Sequence, residues 1–242
     1  MSLSNSPSPK DTAEAKGFDS SEASGILDWE QHMARLLHDA RSLVRRSATR
    51  TQLLERRLKG SADEEVDGLI KEIIEANRNL ERFLARVAAL MDATRPETQP
   101  RLPLQVAVLS AVHQAKQALA EAKGTIETTP IPDVMAPNKT HHVVVELINN
   151  SIRFRDDTRP LLVEIAARHE PPNVILVVKD NGQGWDPQFT SRLFIPFEKL
   201  DAHKGGFGLG LAIAEAIVGR AGGQISGVPL PQGSRFEAVI PV

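Results

Sequence analysis

Mostly apolar residues at alternating spacings of four and three dominate the chain from Trp29 onwards. The first series consists of Met33, Leu37, Ala40, Val44, Ser47, Thr51, Leu54 and Leu58. The second consists of Val66, Ile70, Ile73, Asn77, Leu80, Leu84, Val87 and Met91. This spacing is typical of the contact seam of helices that supercoil around each other. The pattern therefore predicts two long helices, each with one seam.

A short turn separates the two predicted helices. The segment "KGSADEE" contains a glycine and a capping box, with Ser61 as the cap and Glu64 three residues later, and Pro96 follows the second helix. Two long helices joined by a short turn form an antiparallel hairpin, which we place at residues 28–95. A single hairpin has little core of its own, so we expect a homodimer in which two hairpins form a four-helix bundle.

The pattern changes after the hairpin to a mixture of strands and helices. We predict a strand near 101–106, a helix to about 123, a strand at 124–129 and a helix at 138–154; the later elements are strands in "PLLVEIAARHE" and "NVILVVKDNG", a helix at 207–220 and strands at 224–229 and 234–240. This order is typical of an α/β sandwich, in which helices cover one face of a mixed sheet. The predicted fold class is α+β with two domains, the second at residues 96–242.

Composition limits the other possibilities. Residues 1–27 are rich in Ser, Pro, Gly and charge, which predicts a disordered leader or tether. A net charge of -2 gives no overall attraction to nucleic acid or to an anionic membrane, and the absence of cysteine excludes disulfides and thiolate metal sites. No run reaches the roughly 18 apolar residues of a membrane span, so we expect a cytoplasmic protein without membrane contact.

The helix predicted in "VVVELINNSIRF" has one unusually polar face. Helical periodicity places Glu146, Asn149, Asn150 and Arg153 together, opposite a mainly apolar face. The simplest interpretation is an amphipathic surface helix. The alternative is a binding site that uses a carboxylate, two amides and a guanidinium.

Two glycine-containing segments follow. In "DNGQGWD", Asp180 ends a predicted strand, and Gly182 and Gly184 permit a close backbone approach to a ligand, although an ordinary tight turn has the same sequence features. In "GGFGLGLAIAEAIV", glycines precede a helix whose free backbone N–H groups suit phosphate, yet the segment is neither a Walker A loop nor a Rossmann fingerprint. Lys199 and Lys204 lie in the intervening loop, where they are either solvated charges or cations of a site.

Taken together, these segments resemble a known family. The sequences "ELINNSIRF", "DNGQGW", "LFIPFEKL" and "GGFGLGL" resemble the N, G1, F and G2 boxes of the histidine kinase ATP-binding domain, in the family's order, and "GSRFEAVIPV" resembles its last strand. The match covers roughly residues 97–242. Upstream, "LLHDARSLV" resembles the H box, which contains a phosphoacceptor histidine followed by an acid.

The resemblance implies a sensor histidine kinase core with a Bergerat-type ATP-binding fold. It implies that ATP phosphorylates His38, that a response-regulator receiver domain then takes the phosphoryl group, and that Asn150 holds Mg²⁺. The implied catalytic residues are His38, Asp39, Ser42 and Glu146. The implied nucleotide-binding residues are Glu146, Asn150, Arg153, Asp180, Gly182, Gly184, Lys199, Gly206, Gly208, Leu209 and Gly210.

The chain departs from the family pattern at three positions. Leu43 replaces the usual H-box proline, so we expect a first helix without a proline kink, and Ser42 replaces the usual Thr or Asn. Glu146 stands where most histidine kinases have asparagine, while related ATPases use glutamate there to activate water. Two alternatives to a kinase follow: a non-catalytic phosphotransfer or docking module, and an ATPase that hydrolyses ATP with Glu146.

Overall fold

The computed structural model describes residues 20–58, 64–201 and 204–242, with the backbone alone for residues 20–36, 64 and 65. Two long helices come first: α1, Ser20–Leu58, and α2, Glu64–Ala93. They pack against each other as the predicted hairpin. Helix α1 begins earlier than the predicted end of the leader at residue 27, and it continues without interruption through Leu43. The predicted cap Ser61 lies outside the described residues.

Only part of the predicted seam is buried within one hairpin. Val44, Thr51, Ile70 and Leu84 are buried. Other seam positions are exposed and, with apolar neighbours outside the seam, form the exposed apolar stripe of the hairpin. This stripe consists of Leu43, Leu53, Leu54, Leu69, Ile73 and Leu80.

The remaining chain forms the predicted sandwich. Its helices are α3, Leu104–Glu121, α4, Thr140–Arg153, and α5, Gly210–Arg220. Its main strands are β2, Thr125–Thr128, β4, Leu162–Glu170, β5, Asn173–Asp180, β6, Gln224–Pro229, and β7, Ser234–Pro241. The strand order is β2-β4-β5-β7-β6; β2 and β4 are parallel and the other pairs antiparallel, which confirms a mixed sheet.

Alternation along the strands explains why the helices cover one face. Ile165, Val178 and Phe236 are register partners on β4, β5 and β7, and all three are buried. Their sequence neighbours Glu164 and Lys179 pair across the strands on the opposite, exposed face. Because successive residues of a strand point to opposite faces, one face is apolar and receives the helices.

Two element boundaries differ from the sequence prediction. The strand expected at 101–106 is only β1, Leu102–Pro103, which pairs with the unpredicted β3, Met135–Ala136. Leu104 is fully buried and already begins α3. Helix α5 begins at Gly210 rather than 207, because Gly208 has a φ of 68° that a right-handed helix does not permit. A 3₁₀ helix, Pro187–Arg192, lies in the region before α5.

The end of the hairpin is not separate from the sandwich. Ala93 is buried in the core of the sandwich, and Val87 and Leu90 of α2 pack against the same core. The hairpin and the sandwich, which we predict to meet at residue 95, therefore share an apolar contact. No helix in the described part of the chain has the length and apolar content of a membrane-spanning segment.

Candidate active site

A cavity of about 580 Å³ lies between α4, the end of β5 and the segment before α5. All four polar residues predicted on one face of α4, Glu146, Asn149, Asn150 and Arg153, line it. The opposite face carries Val144, Leu147, Ile148 and Ser151, which are buried. Burial of that apolar face fixes the rotation of α4 and turns the polar face towards the cavity. The volume is that of an ordinary small-molecule site.

Asp180 is a buried carboxylate whose two oxygens accept three hydrogen bonds from the protein. Its Oδ1 accepts a hydrogen bond from the Gly182 N–H at 2.8 Å. Its Oδ2 accepts from the hydroxyls of Ser151 at 3.1 Å and Ser234 at 2.5 Å. These bonds fix the orientation of a carboxylate that also lines the cavity. The two serines were missed by sequence analysis, because Ser151 lies on the apolar face of α4 and Ser234 lies on a distant strand.

Glycines at the cavity permit conformations and contacts that other residues do not. A Cβ on Gly208, whose φ is 68°, would lie 2.6 Å from the carbonyl oxygen of Glu198. A Cβ on Gly206, whose φ is 99°, would lie 2.5 Å from Cζ of Arg153. These glycines therefore let the segment before α5 pass close to the cavity and to Arg153.

Among the described residues, five basic and five acidic side chains line the cavity. The basic residues are Arg86, Arg153, Arg192, Lys199 and Lys204; Arg86 pairs with Glu146, and Arg192 pairs with Glu198. Burial lowers the pKa of the Arg153 guanidinium, repulsion by Arg86 lowers it further, and the carboxylate of Glu146 acts in the opposite direction. A guanidinium such as that of Arg153 is suited to pair with phosphate oxygens.

Glu146 forms an ion pair that the sequence did not reveal. Its two oxygens accept hydrogen bonds from the guanidinium of Arg86 on α2, at 2.6 and 2.7 Å. Arg86 lies outside the predicted seam, and no local pattern distinguishes it from the other arginines of α2. The hairpin thus contributes a side chain to the cavity.

The structure brings most of the predicted nucleotide-binding residues to the cavity, but not all. Glu146, Asn150, Arg153, Asp180, Gly184, Lys199, Gly208 and Gly210 line it. Leu209 is buried in the core instead. Gly182 and Gly206 do not line it; the Gly182 N–H donates a hydrogen bond to Asp180, and Gly206 lies against the guanidinium of Arg153. No group of three or more His, Cys, Asp or Glu side chains suited to a metal occurs among the described residues.

His38 and Asp39 lie on the hairpin, outside the cavity. Their side chains are 83% and 68% exposed, and Nδ1 of His38 lies 3.3 Å from Oδ1 of Asp39. Arg41, three residues after His38, donates to the carbonyl oxygen of Leu84. The antiparallel arrangement therefore places His38 near the level of Val87 and Arg86 on α2. Ser42 is half-buried on the same helix.

Comparison with known proteins agrees with this geometry. Residues 135–242 match the family described as histidine kinase-, DNA gyrase B-, and HSP90-like ATPase. Cyanobacterial phytochrome A of Nostoc sp. is 30% identical over 85% of this chain and 27% of its own length. Sensor histidine kinase CpxA of Escherichia coli is 26% identical over 82% of this chain and 44% of its own length. These similarities support a histidine kinase catalytic core.

Solved structures show the same fold. Full-length ShkA, solved in complex with AMPPNP, matches with a TM-score of 0.70 at 20% identity, over 88% of this chain and 46% of that one. Histidine kinase AdeS of Acinetobacter baumannii matches with a TM-score of 0.56 at 22% identity, over 84% of this chain and 98% of that one. The predicted helical hairpin and α/β sandwich are thus confirmed. The chain spans about a quarter of the length of phytochrome A.

Proposed function

We propose that this histidine kinase core uses ATP to phosphorylate His38 and passes the phosphoryl group to an aspartate of a response-regulator receiver domain. The observation that carries the proposal is the cavity itself. A polar helix face, an anchored carboxylate, a glycine-rich segment and basic side chains line one cavity of nucleotide size. A cytoplasmic location is part of the proposal, since ATP is a cytoplasmic substrate.

The residues of the cavity fit a nucleotide with magnesium. Asp180 is fixed by three donors and is suited to accept a hydrogen bond from the exocyclic amine of adenine. Arg153 and Lys199 lie where they can pair with phosphates. Asn150 would hold Mg²⁺ through its amide oxygen, which is the hard oxygen ligand that this ion prefers. A bound magnesium ion would neutralise charge on the phosphate oxygens.

The contact between His38 and Asp39 indicates which imidazole nitrogen attacks the phosphorus. Asp39 lies beside Nδ1, so we assign the proton to Nδ1 and the attack to Nε2. Nε2 forms a bond to the γ-phosphorus while the bond from that phosphorus to the β–γ bridging oxygen breaks. ADP leaves with that electron pair, and Asp39 receives the Nδ1 proton. Ser42, one turn further along α1, is proposed to lie at the edge of this acceptor site.

A homodimer is the second part of the proposal. The exposed apolar stripe of the hairpin, for example Leu54, Ile73 and Leu80, follows from a seam that one hairpin buries only in part. Packing against a second hairpin would remove this apolar surface from water and give the four-helix bundle.

The deciding experiment is incubation of the chain with γ-labelled ATP and Mg²⁺. We expect an acid-labile label that is absent in His38→Gln, with nucleotide affinity unchanged, and retained in the control His113→Gln, which removes an exposed imidazole of α3. Persistence of the label in His38→Gln would reject this acceptor. Release of phosphate without any protein label would favour the ATPase, and neither product would favour a non-catalytic module.

A further inference from the structure

The Arg86–Glu146 ion pair joins two parts of the chain at the reaction site. Nη1 and Nη2 of Arg86 donate separately to Oε1 and Oε2 of Glu146, which is the paired geometry of strong guanidinium–carboxylate contacts. The Glu146 side chain is 10% exposed and the Arg86 side chain 31%. Both line the same cavity as Asn150 and Arg153.

The surroundings fix Arg86 in this position. One turn earlier on α2, the ring of Phe83 lies 5.3 Å from that of Phe207 and 6.3 Å from that of Phe197. On the other side, a Cβ on Gly210 would lie 3.0 Å from Oε2 of Glu146. The absence of a side chain at the start of α5 therefore makes room for the carboxylate of Glu146. The pair is therefore a packed contact between the hairpin and the sandwich.

Two acceptors compete for the γ-phosphoryl group in such a cavity. In transfer, Nε2 of His38 forms the new bond to phosphorus, as described above. In hydrolysis, a water oxygen forms it instead, ADP leaves with the electrons of the broken phosphorus–oxygen bond, and the water proton must pass to a base. Glu146 is a carboxylate in the cavity and could receive that proton, but both of its oxygens already accept hydrogen bonds from Arg86.

We propose that Arg86 is a specificity-determining residue that keeps Glu146 from activating water, so that the γ-phosphoryl group goes to His38. This inference rests on the proposed function. It also explains how a glutamate at this position is compatible with a kinase. Since the two partners lie on α2 and α4, the carboxylate becomes available to water only when the hairpin moves away from the cavity.

The test measures phosphate release and phosphohistidine formation side by side, on the full chain with saturating Mg²⁺ and ATP. We expect Arg86→Gln to raise phosphate release at least about tenfold, a small part of the factor that a general base supplies. Arg86→Lys, which keeps the charge but cannot make the paired contact, should give a smaller rise. In Arg86→Gln combined with Glu146→Gln the rise should disappear.

Arg82→Gln is the matched control. Arg82 lies one turn before Arg86 on α2 and pairs with Glu75 of the same helix, so its loss should leave phosphate release unchanged. The inference alone is overturned if the wild type forms phosphohistidine while Arg86→Gln and Arg86→Lys release phosphate at the wild-type rate. It is also overturned if the rise survives without Glu146. Absence of both products in every variant rejects the proposed function, and the role of Arg86 with it.

Discussion

The hydroxyl of Ser234, at the start of β7, donates a hydrogen bond of 2.5 Å to Oδ2 of Asp180, at the end of β5. The two residues are register partners on adjacent strands and both are buried. The last strand of the sheet therefore supports the carboxylate that we propose to bind the adenine amine. Since Ser151 donates to the same oxygen, the carboxylate is fixed from both the sheet and α4.

Ser234→Ala should weaken both stability and base discrimination. Removing one donor from a buried carboxylate costs about 1–3 kcal/mol, so we expect a lower unfolding temperature. A less firmly oriented Asp180 should also lower the preference for ATP over GTP in competition binding. Ser226→Ala, at an exposed position of β6, is the control. Unchanged discrimination in Ser234→Ala would show that this hydrogen bond does not serve the nucleotide.

Gly206→Ala should reduce nucleotide affinity. The new Cβ would meet the guanidinium of Arg153 at 2.5 Å, and the φ of 99° is strained for alanine. We expect at least about a tenfold loss, because Arg153 or the segment before α5 must move by an amount comparable to the 1 Å misplacement that damages a site. Isothermal titration with a non-hydrolysable ATP analogue measures the affinity.

Gly219→Ala provides the contrast. Gly219 lies within α5, and a Cβ there meets nothing within 4 Å. Alanine is favoured over glycine by about 1 kcal/mol inside a helix, so this variant should be slightly more stable and bind nucleotide normally. Equal affinities of the two variants would contradict a role for the Gly206–Arg153 contact.

Helical periodicity and glycine spacing predicted the polar face of α4 and the glycine-containing segments of the cavity. The apolar residues of α4 determine which side of the helix faces the sheet, so the position of Asn150 and Arg153 follows from local sequence. The start of α5 was placed too early, because periodicity alone does not report the positive φ of Gly208. The short pairing of β1 with β3 also escaped prediction, since its partners are distant in sequence.

The contact between hairpin and sandwich could not be predicted. Arg82 and Arg86 are both non-seam arginines of one helix, yet Arg82 pairs with Glu75 of its own helix and Arg86 with Glu146, which lies 60 residues away. The two arginines have different partners only because α2 packs against the sandwich. The partial burial of the seam could not be predicted either, because heptad spacing does not state how many helices share a core.

Ile73→Asp should dissociate the proposed dimer while the hairpin stays helical. Ile73 is 46% exposed in the single chain, so a charge there is tolerated unless a second hairpin covers it. Sedimentation should show a monomer, with helical content preserved by circular dichroism. Val106→Asp, which places the same charge at an exposed apolar site of α3, should leave the dimer intact. A wild-type chain that sediments as a monomer would reject the dimer.

The last prediction concerns the base for His38. Asp39 is beside its Nδ1, whereas both oxygens of Glu146 are paired with Arg86 in the cavity. Asp39→Asn should therefore slow autophosphorylation by the factor of about 10² to 10⁴ typical of a lost general base. Glu146→Gln should lower nucleotide binding more than it lowers transfer to His38, because Arg86 already occupies the carboxylate of Glu146 in the wild type. Single-turnover phosphorylation at saturating Mg²⁺ and ATP separates chemistry from binding, and a slower transfer in Glu146→Gln than in Asp39→Asn would assign the base to Glu146 instead.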